Sequence, residues 1–159
     1  MVNIYLKKIS KDATLPTKAH DTDACFDIYA DCSTTMYFDD EAGKWKYKEV
    51  RIQPGSFATI HTGFCTEIPK GYFATVFCRS GMGIKKHTRL CNSVGIIDSD
   101  YRGEWLVALH NDGSEPQIIK HGDRIAQFTL LPVLDLNIEE VDKLNDTDRG
   151  EGGFGSSGR

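Results

Sequence analysis

The sequence predicts an all-β protein, a sandwich or closed barrel of many short strands, on three observations. Short runs rich in β-branched and aromatic residues recur along the whole chain. Turn-forming residues punctuate the gaps between them. No long stretch carries apolar residues at a helical period. In chain order, Val2–Lys8 alternates in polarity and Cys25–Ala30 is short and apolar. Ser56–Thr62, Tyr72–Cys78, Glu104–His110 and Arg124–Leu131 supply the β-branched and aromatic runs. Gln53-Pro-Gly, Ile68-Pro-Lys-Gly, Asn111-Asp-Gly-Ser and Lys120-His-Gly-Asp separate them. One helical turn is expected from Arg79 through Ile84. Met36–Val50 is expected to be a hairpin, with Asp40-Glu-Ala-Gly at its tip and aromatic residues on its arms. We read it as a solvated surface excursion. Residues 1–145 are expected to form one β domain, and residues 146–159 a Gly/Ser-rich arm that cannot build a core of its own.

A chain of 159 residues suits one domain. Its net charge of −4 argues against a bulk electrostatic grip on nucleic acid. Any substrate with several phosphates must therefore be held by a local cluster of donors and cations. The five cysteines are an odd number and none form a C-x-x-C pair, which fits reduced thiols in a cytoplasmic protein. The five histidines form no H-E-x-x-H pattern. The opening Met-Val-Asn-Ile-Tyr-Leu-Lys-Lys resembles neither a signal peptide nor a membrane span, so no membrane association is expected.

Four clusters could carry chemistry. In Asn92-Ser-Val-Gly-Ile-Ile-Asp-Ser-Asp-Tyr-Arg-Gly, a glycine opens a short β run and a charge-dense hairpin turn follows. An ordinary Asp turn would explain either aspartate alone. Two Asp and a Tyr crowded on one turn favour a site. Arg79-Ser-Gly offers a guanidinium fork, a hydroxyl and free N–H groups to an anion. On an alternating strand, Gln127 shares the apolar face of Ile125 and needs a hydrogen-bond partner there. The end segment from Arg149 lacks the G-K-[ST] close of a P-loop, yet holds an Arg, two serines, one aromatic ring and many glycines. Such an arm could close over a nucleotide, with Phe154 stacked on the base.

Together with Ala24-Cys-Phe-Asp-Ile-Tyr-Ala and Gly122-Asp-Arg-Ile-Ala-Gln, these clusters make five motifs in the order found in the trimeric dUTPase family, which the chain resembles over nearly its whole length. The third motif, Asn92 to Gly103, is the most specific. The resemblance implies a jelly-roll-like β fold, a homotrimer with shared active sites, and Mg²⁺-assisted hydrolysis of dUTP to dUMP and pyrophosphate. It implies that Asp98 activates the attacking water. Asn92 and the main chain of Gly95, Ile96 and Ile97 would read the uracil edge, with Tyr101 under the sugar. Arg79, Ser80 and Gly81 would bind phosphates from a second subunit, and Gln127 would lie near the attacked phosphate. Asp27 would hold Mg²⁺ through water. Phe154 of a third subunit would cover the uracil, with Arg149, Gly155, Ser156 and Ser157 on the phosphates. Cys25 stands where the family usually has Gly, and Cys78 where a Pro often precedes the Arg.

Two other functions compete. A dCTP deaminase shares the fold and the Arg-Ser start, but needs a Glu as general acid/base, for which Glu104 is the nearest candidate. A regulatory module would use the Met36–Val50 hairpin to hold a protein partner.

Overall fold

The structure, a computed structural model, describes residues 2–153. Thirteen strands follow one another: β1 (Tyr5–Lys8), β2 (Phe26–Tyr29), β3 (Met36–Asp39), β4 (Lys44–Tyr47), β5 (Glu49–Ile52), β6 (Phe57–His61), β7 (Phe64–Glu67), β8 (Tyr72–Phe77), β9 (Thr88–Leu90), β10 (Val94–Ile97), β11 (Leu106–Asn111), β12 (Gln117–Lys120) and β13 (Arg124–Pro132). Among the described residues the one helical element is a π-type turn at Gly81–Lys85, which overlaps the expected Arg79–Ile84 turn and ends one residue beyond it. The architecture is all-β and jelly-roll-like.

Every ladder is antiparallel. The largest sheet runs β10-β8-β13-β2, and a second runs β6-β11-β9. Pairs β1-β7, β12-β5 and β3-β4 complete the set. Apolar side chains of the two larger sheets meet in a core centred on Trp105, which is 1% exposed. Its ring lies 5.4 Å from that of Phe64 and 5.0 Å from that of Phe128, the latter edge-on, the geometry aromatic quadrupoles favour. The indole N–H donates to Thr66 Oγ1 at 3.1 Å, so this buried polar atom is satisfied.

The expected hairpin between Met36 and Val50 is present as β3 and β4, closed by Gly43 in the left-handed region at φ 60°. Its inner face leans on β5: the Tyr37 hydroxyl donates to Glu49 at 3.4 Å, and Arg51 lies 3.9 Å from Asp39. Met36, Phe38, Trp45 and Tyr47 are exposed.

Two local expectations are corrected. The charged turn after Ile97 does not close a hairpin. β10 pairs with β8, whereas β11 pairs with β6 and β9, so residues 98–105 cross from one sheet to the other. Burial of Trp105, with its N–H donating to the Phe64 carbonyl at 3.2 Å, draws the chain away. The second correction concerns Gln127. A bulge between Arg124 and Ala126 breaks the alternation, so Ile125 and Ala126 are both buried and Gln127 leaves the core face. Strands β7, β9 and β12 were not among the runs the sequence marked. They are three or four residues long and mix polar with apolar positions, which leaves little period to detect.

Candidate active site

The four-stranded sheet carries two neighbouring groups of candidate residues. β2 and β13 place Asp27 opposite Gln127 in register, and β8 places Phe77 opposite Gln127 from the other side. Arg79 leaves the end of β8 directly toward Asp27. Its Nε donates to Asp27 Oδ1 at 2.6 Å, while Arg124 Nη1 donates to Oδ2 at 3.1 Å. The carboxylate is thus bound at both oxygens, in charge-assisted bonds that fix both guanidiniums. Gln127 Nε2 donates to the Cys78 carbonyl at 3.2 Å, which supplies the partner its amide required. A cleft of about 340 Å³ opens over this group, also lined by Ala19, Asp23, Ala24 and Cys25.

Sequence reasoning missed Arg124 and Asp23. Arg124 stands inside a quoted motif, but simple alternation put it on the wrong face relative to Gln127; only the bulge turns both toward Asp27. Nothing in the local sequence singles out Asp23. It accepts the His20 N–H at 2.9 Å, and that backbone bond holds its carboxyl below the usual range.

The second group lies on β10 and the loop after it. Asn92, Gly95, Ile96 and Ile97 line a small cavity of about 110 Å³ with Ile28, Val76 and Trp105. Gly95 is buried opposite Val76, and a Cβ there would stand 3.0 Å from the Val76 Cβ. That is a packing reason for glycine at this position. Asp98 and Tyr101 are exposed at the loop, with the Tyr101 N–H donating to the Asp98 carbonyl at 3.2 Å. Ser80 is exposed and Gly81 opens the π-type turn. Among the described residues no side-chain hydrogen bond or ion pair joins the Asp98 loop to the Asp27 group. Arg149 is exposed and donates to the Gly152 carbonyl at 2.8 Å. Phe154, Gly155, Ser156 and Ser157 lie outside the described residues.

The chemistry open to these groups is narrow. Burial pushes the thiols of Cys25 and Cys78 above their ordinary values, with Asp27 adding to the rise at Cys25 against the opposing pull of Lys18. Neither is set up as a thiolate nucleophile. No group of three or more His, Cys, Asp or Glu gathers to hold an ion outright among the described residues. The cleft offers instead the carboxylates of Asp23 and Asp27, the latter already held by Arg79 and Arg124 and so placed to meet a cation through water, which suits Mg²⁺, an ion that keeps several waters and takes phosphate oxygens as ligands. Glu104 points elsewhere. Its carboxylate is bonded to the backbone N–H groups of Thr62 and Gly63 and to His61, and it lines neither cavity.

Comparison with known proteins gives a consistent result. A family model described as dUTPase matches residues 46–158. A protein of Clostridioides difficile named deoxyuridine 5'-triphosphate nucleotidohydrolase is 39% identical over 158 residues, 99% of each chain. A protein of the same name from Desulfitobacterium hafniense is 52% identical over 112 residues, 70% of this chain and 74% of its own. Among solved structures, that of the Staphylococcus bacteriophage 80alpha dUTPase with dUPNHPP is similar, with a TM-score of 0.76 at 27% identity over 99% of each chain.

Proposed function

Since the chain belongs to the dUTPase family and hydrolyses dUTP, we propose that it cuts dUTP between the α- and β-phosphates, by water attack, in active sites shared across a homotrimer. The observation that carries this reading is the Asp98–Tyr101 loop, which stands at the end of the strand that lines a small cavity with Gly95, Ile96 and Ile97. Asn92 and the main chain of Gly95 to Ile97 read the uracil edge. A site built for those polar groups leaves them unpaired when cytosine enters, which costs far more than a missing methylene. Tyr101 lies under the deoxyribose and leaves no room for a 2′-hydroxyl.

Asp98 accepts a proton from the attacking water. The water oxygen bonds to the α-phosphorus as the bond to the α–β bridging oxygen breaks, and pyrophosphate leaves with those electrons. Arg79, Ser80 and Gly81 bind phosphates presented by a neighbouring subunit, and Gln127 lies near the reacting phosphate. Asp27, with Asp23 lining the same cleft, would hold Mg²⁺ through water, and the ion would supply charge neutralisation to the triphosphate. Arg149, Gly155, Ser156 and Ser157 close over the phosphates and Phe154 over the base, which excludes bulk water. The product dUMP feeds thymidylate synthesis, removal of dUTP keeps uracil out of DNA, and the protein works in the cytoplasm.

The deaminase alternative loses its catalytic acid, because the Glu104 carboxylate is engaged by a turn outside the base cavity. Incubation with each deoxynucleoside triphosphate separates the two, pyrophosphate release marking hydrolysis and ammonia release deamination. The direct test of mechanism is Asp98→Asn. It should lower kcat by roughly 10²–10⁴-fold, the usual worth of a general base, and leave affinity for dUPNHPP within about threefold. Full turnover in that variant would remove Asp98 from its role.

A further inference from the structure

Glu104 ends the loop that bears Asp98 and Tyr101, and its side chain is 18% exposed. Its Oε1 accepts the N–H of Gly63 at 2.8 Å and that of Thr62 at 3.2 Å, and His61 Nδ1 lies 2.8 Å from Oε2. The carboxylate therefore closes the turn between β6 and β7. The next residue reinforces the junction: the Thr62 hydroxyl donates to the Trp105 carbonyl at 2.7 Å. On this junction rests Tyr101. Its phenol donates to the Glu104 carbonyl at 3.0 Å. Its ring folds so closely over Gly103 that a Cβ there would collide with the phenol oxygen and Cζ. The Tyr101 N–H in turn reaches the Asp98 carbonyl. A chain of contacts thus runs from the Thr62–Gly63 turn through Glu104 to Tyr101 and Asp98.

We propose that Glu104 is a positioning residue, whose grip on the Thr62–Gly63 turn fixes the carbonyl that orients the Tyr101 phenol and so sets how strictly the enzyme rejects a 2′-hydroxyl. The inference rests on the reading of Tyr101 as the residue under the sugar. It requires a side-chain oxygen at the reach of the Glu104 carboxylate, because that one oxygen takes both backbone N–H groups. Loss of that grip leaves Trp105 buried and the fold anchored, while the loop gains the ångström of freedom that positioning cannot tolerate.

The test is steady-state turnover of dUTP and UTP by the full chain, read as the ratio of their kcat/KM values. Glu104→Ala should melt as a folded protein and lower the dUTP-to-UTP ratio about tenfold, with UTP turnover rising. Glu104→Gln, whose amide oxygen still accepts both N–H groups, should restore the ratio to within about threefold of the parent. An unchanged ratio in Glu104→Ala overturns the proposal, and so does a Glu104→Gln as impaired as the alanine variant. Where Glu104→Ala does not fold, Glu104→Asp takes its place: the charge remains but the oxygen retreats by one methylene, and the same loss of discrimination is required. Tyr101→Ala distinguishes the two levels of the argument. If it leaves the ratio intact, the sugar-gate reading fails; if it collapses the ratio while Glu104→Ala does not, the positioning role alone fails.

Discussion

Asp31 is a carboxylate at 5% exposure, and burial alone would raise its pKa. Hydrogen bonds from Ser10 and Ser33, and the imidazole of His121 at 3.3 Å, outweigh that and hold it below the ordinary value of 3.8. A depressed pKa in the folded state means that the unfolded chain binds the proton more readily. The stabilisation is therefore complete above pH 3.8 and is lost as the pH falls below it. Asp31→Asn should flatten the acid limb of a plot of denaturant midpoint against pH in that window, and an unaltered limb would assign acid unfolding to other carboxylates. Asn111 tests burial without titration. It is fully buried, donates to the carbonyls of Ile52 at 3.0 Å and Glu115 at 2.8 Å, and accepts the Gly113 N–H at 2.9 Å. Asn111→Ala should cost about 2–4 kcal/mol in urea unfolding, from three lost bonds and a stranded buried carbonyl; a cost under ~1 kcal/mol would mean that water replaces the side chain. At this scale the sequence was a partial guide. The residues of the Asp27 group stood in quoted motifs, but the convergence of Arg79 and Arg124 on one carboxylate depends on a bulge with no sequence marker.

Two elements both looked like hairpins and only one is. The β3–β4 arm was legible because alternating aromatics flank a tip ending in glycine, so the information sits within a dozen residues. The turn after Ile97 carries equally strong turn chemistry, yet its outgoing strand pairs elsewhere because Trp105 belongs to a core assembled from distant strands. Long-range packing overrode local signal there, and short strands such as Thr88–Leu90 exist only because β11 offers them an edge. The β3–β4 arm makes a sharper prediction. Lys48 N–H already donates to the Thr35 carbonyl at 2.9 Å, so the base of the arm is closed without it. Replacing residues 36–47 by a two-residue glycine turn should keep Tm within about 3 °C and leave dUTP turnover unchanged, as for a surface excursion. A collapse of activity in a folded deletion variant would give the arm a part in the site.

The described chain presents a surface that one copy alone does not explain. Beyond β13, every residue from Val133 through Glu151 is exposed, and the segment is studded with apolar side chains: Leu134 is 75% exposed, Leu136 81% and Ile138 91%, with Val133, Val141 and Leu144 also open. Water around so many aliphatic groups is costly, and a monomer seldom keeps such a run uncovered. Cover from neighbouring copies is what the proposed homotrimer supplies. It also accounts for the Gly95 cavity and the Asp27 cleft, which no side-chain bond joins among the described residues. Sedimentation equilibrium should then give three times the 17.8 kDa of one chain. Two truncations separate assembly from closure. A chain ending at Asp148 retains the apolar segment but lacks Arg149, Phe154, Ser156 and Ser157; it should remain trimeric and lose at least about a hundredfold in kcat, since closure excludes water and completes the phosphate contacts. A chain ending at Pro132 should lose the trimer as well, because the apolar surface that needs covering is gone. Unchanged rates in the first truncation would refute the closing arm, and a fully active monomer from the second would refute the shared site.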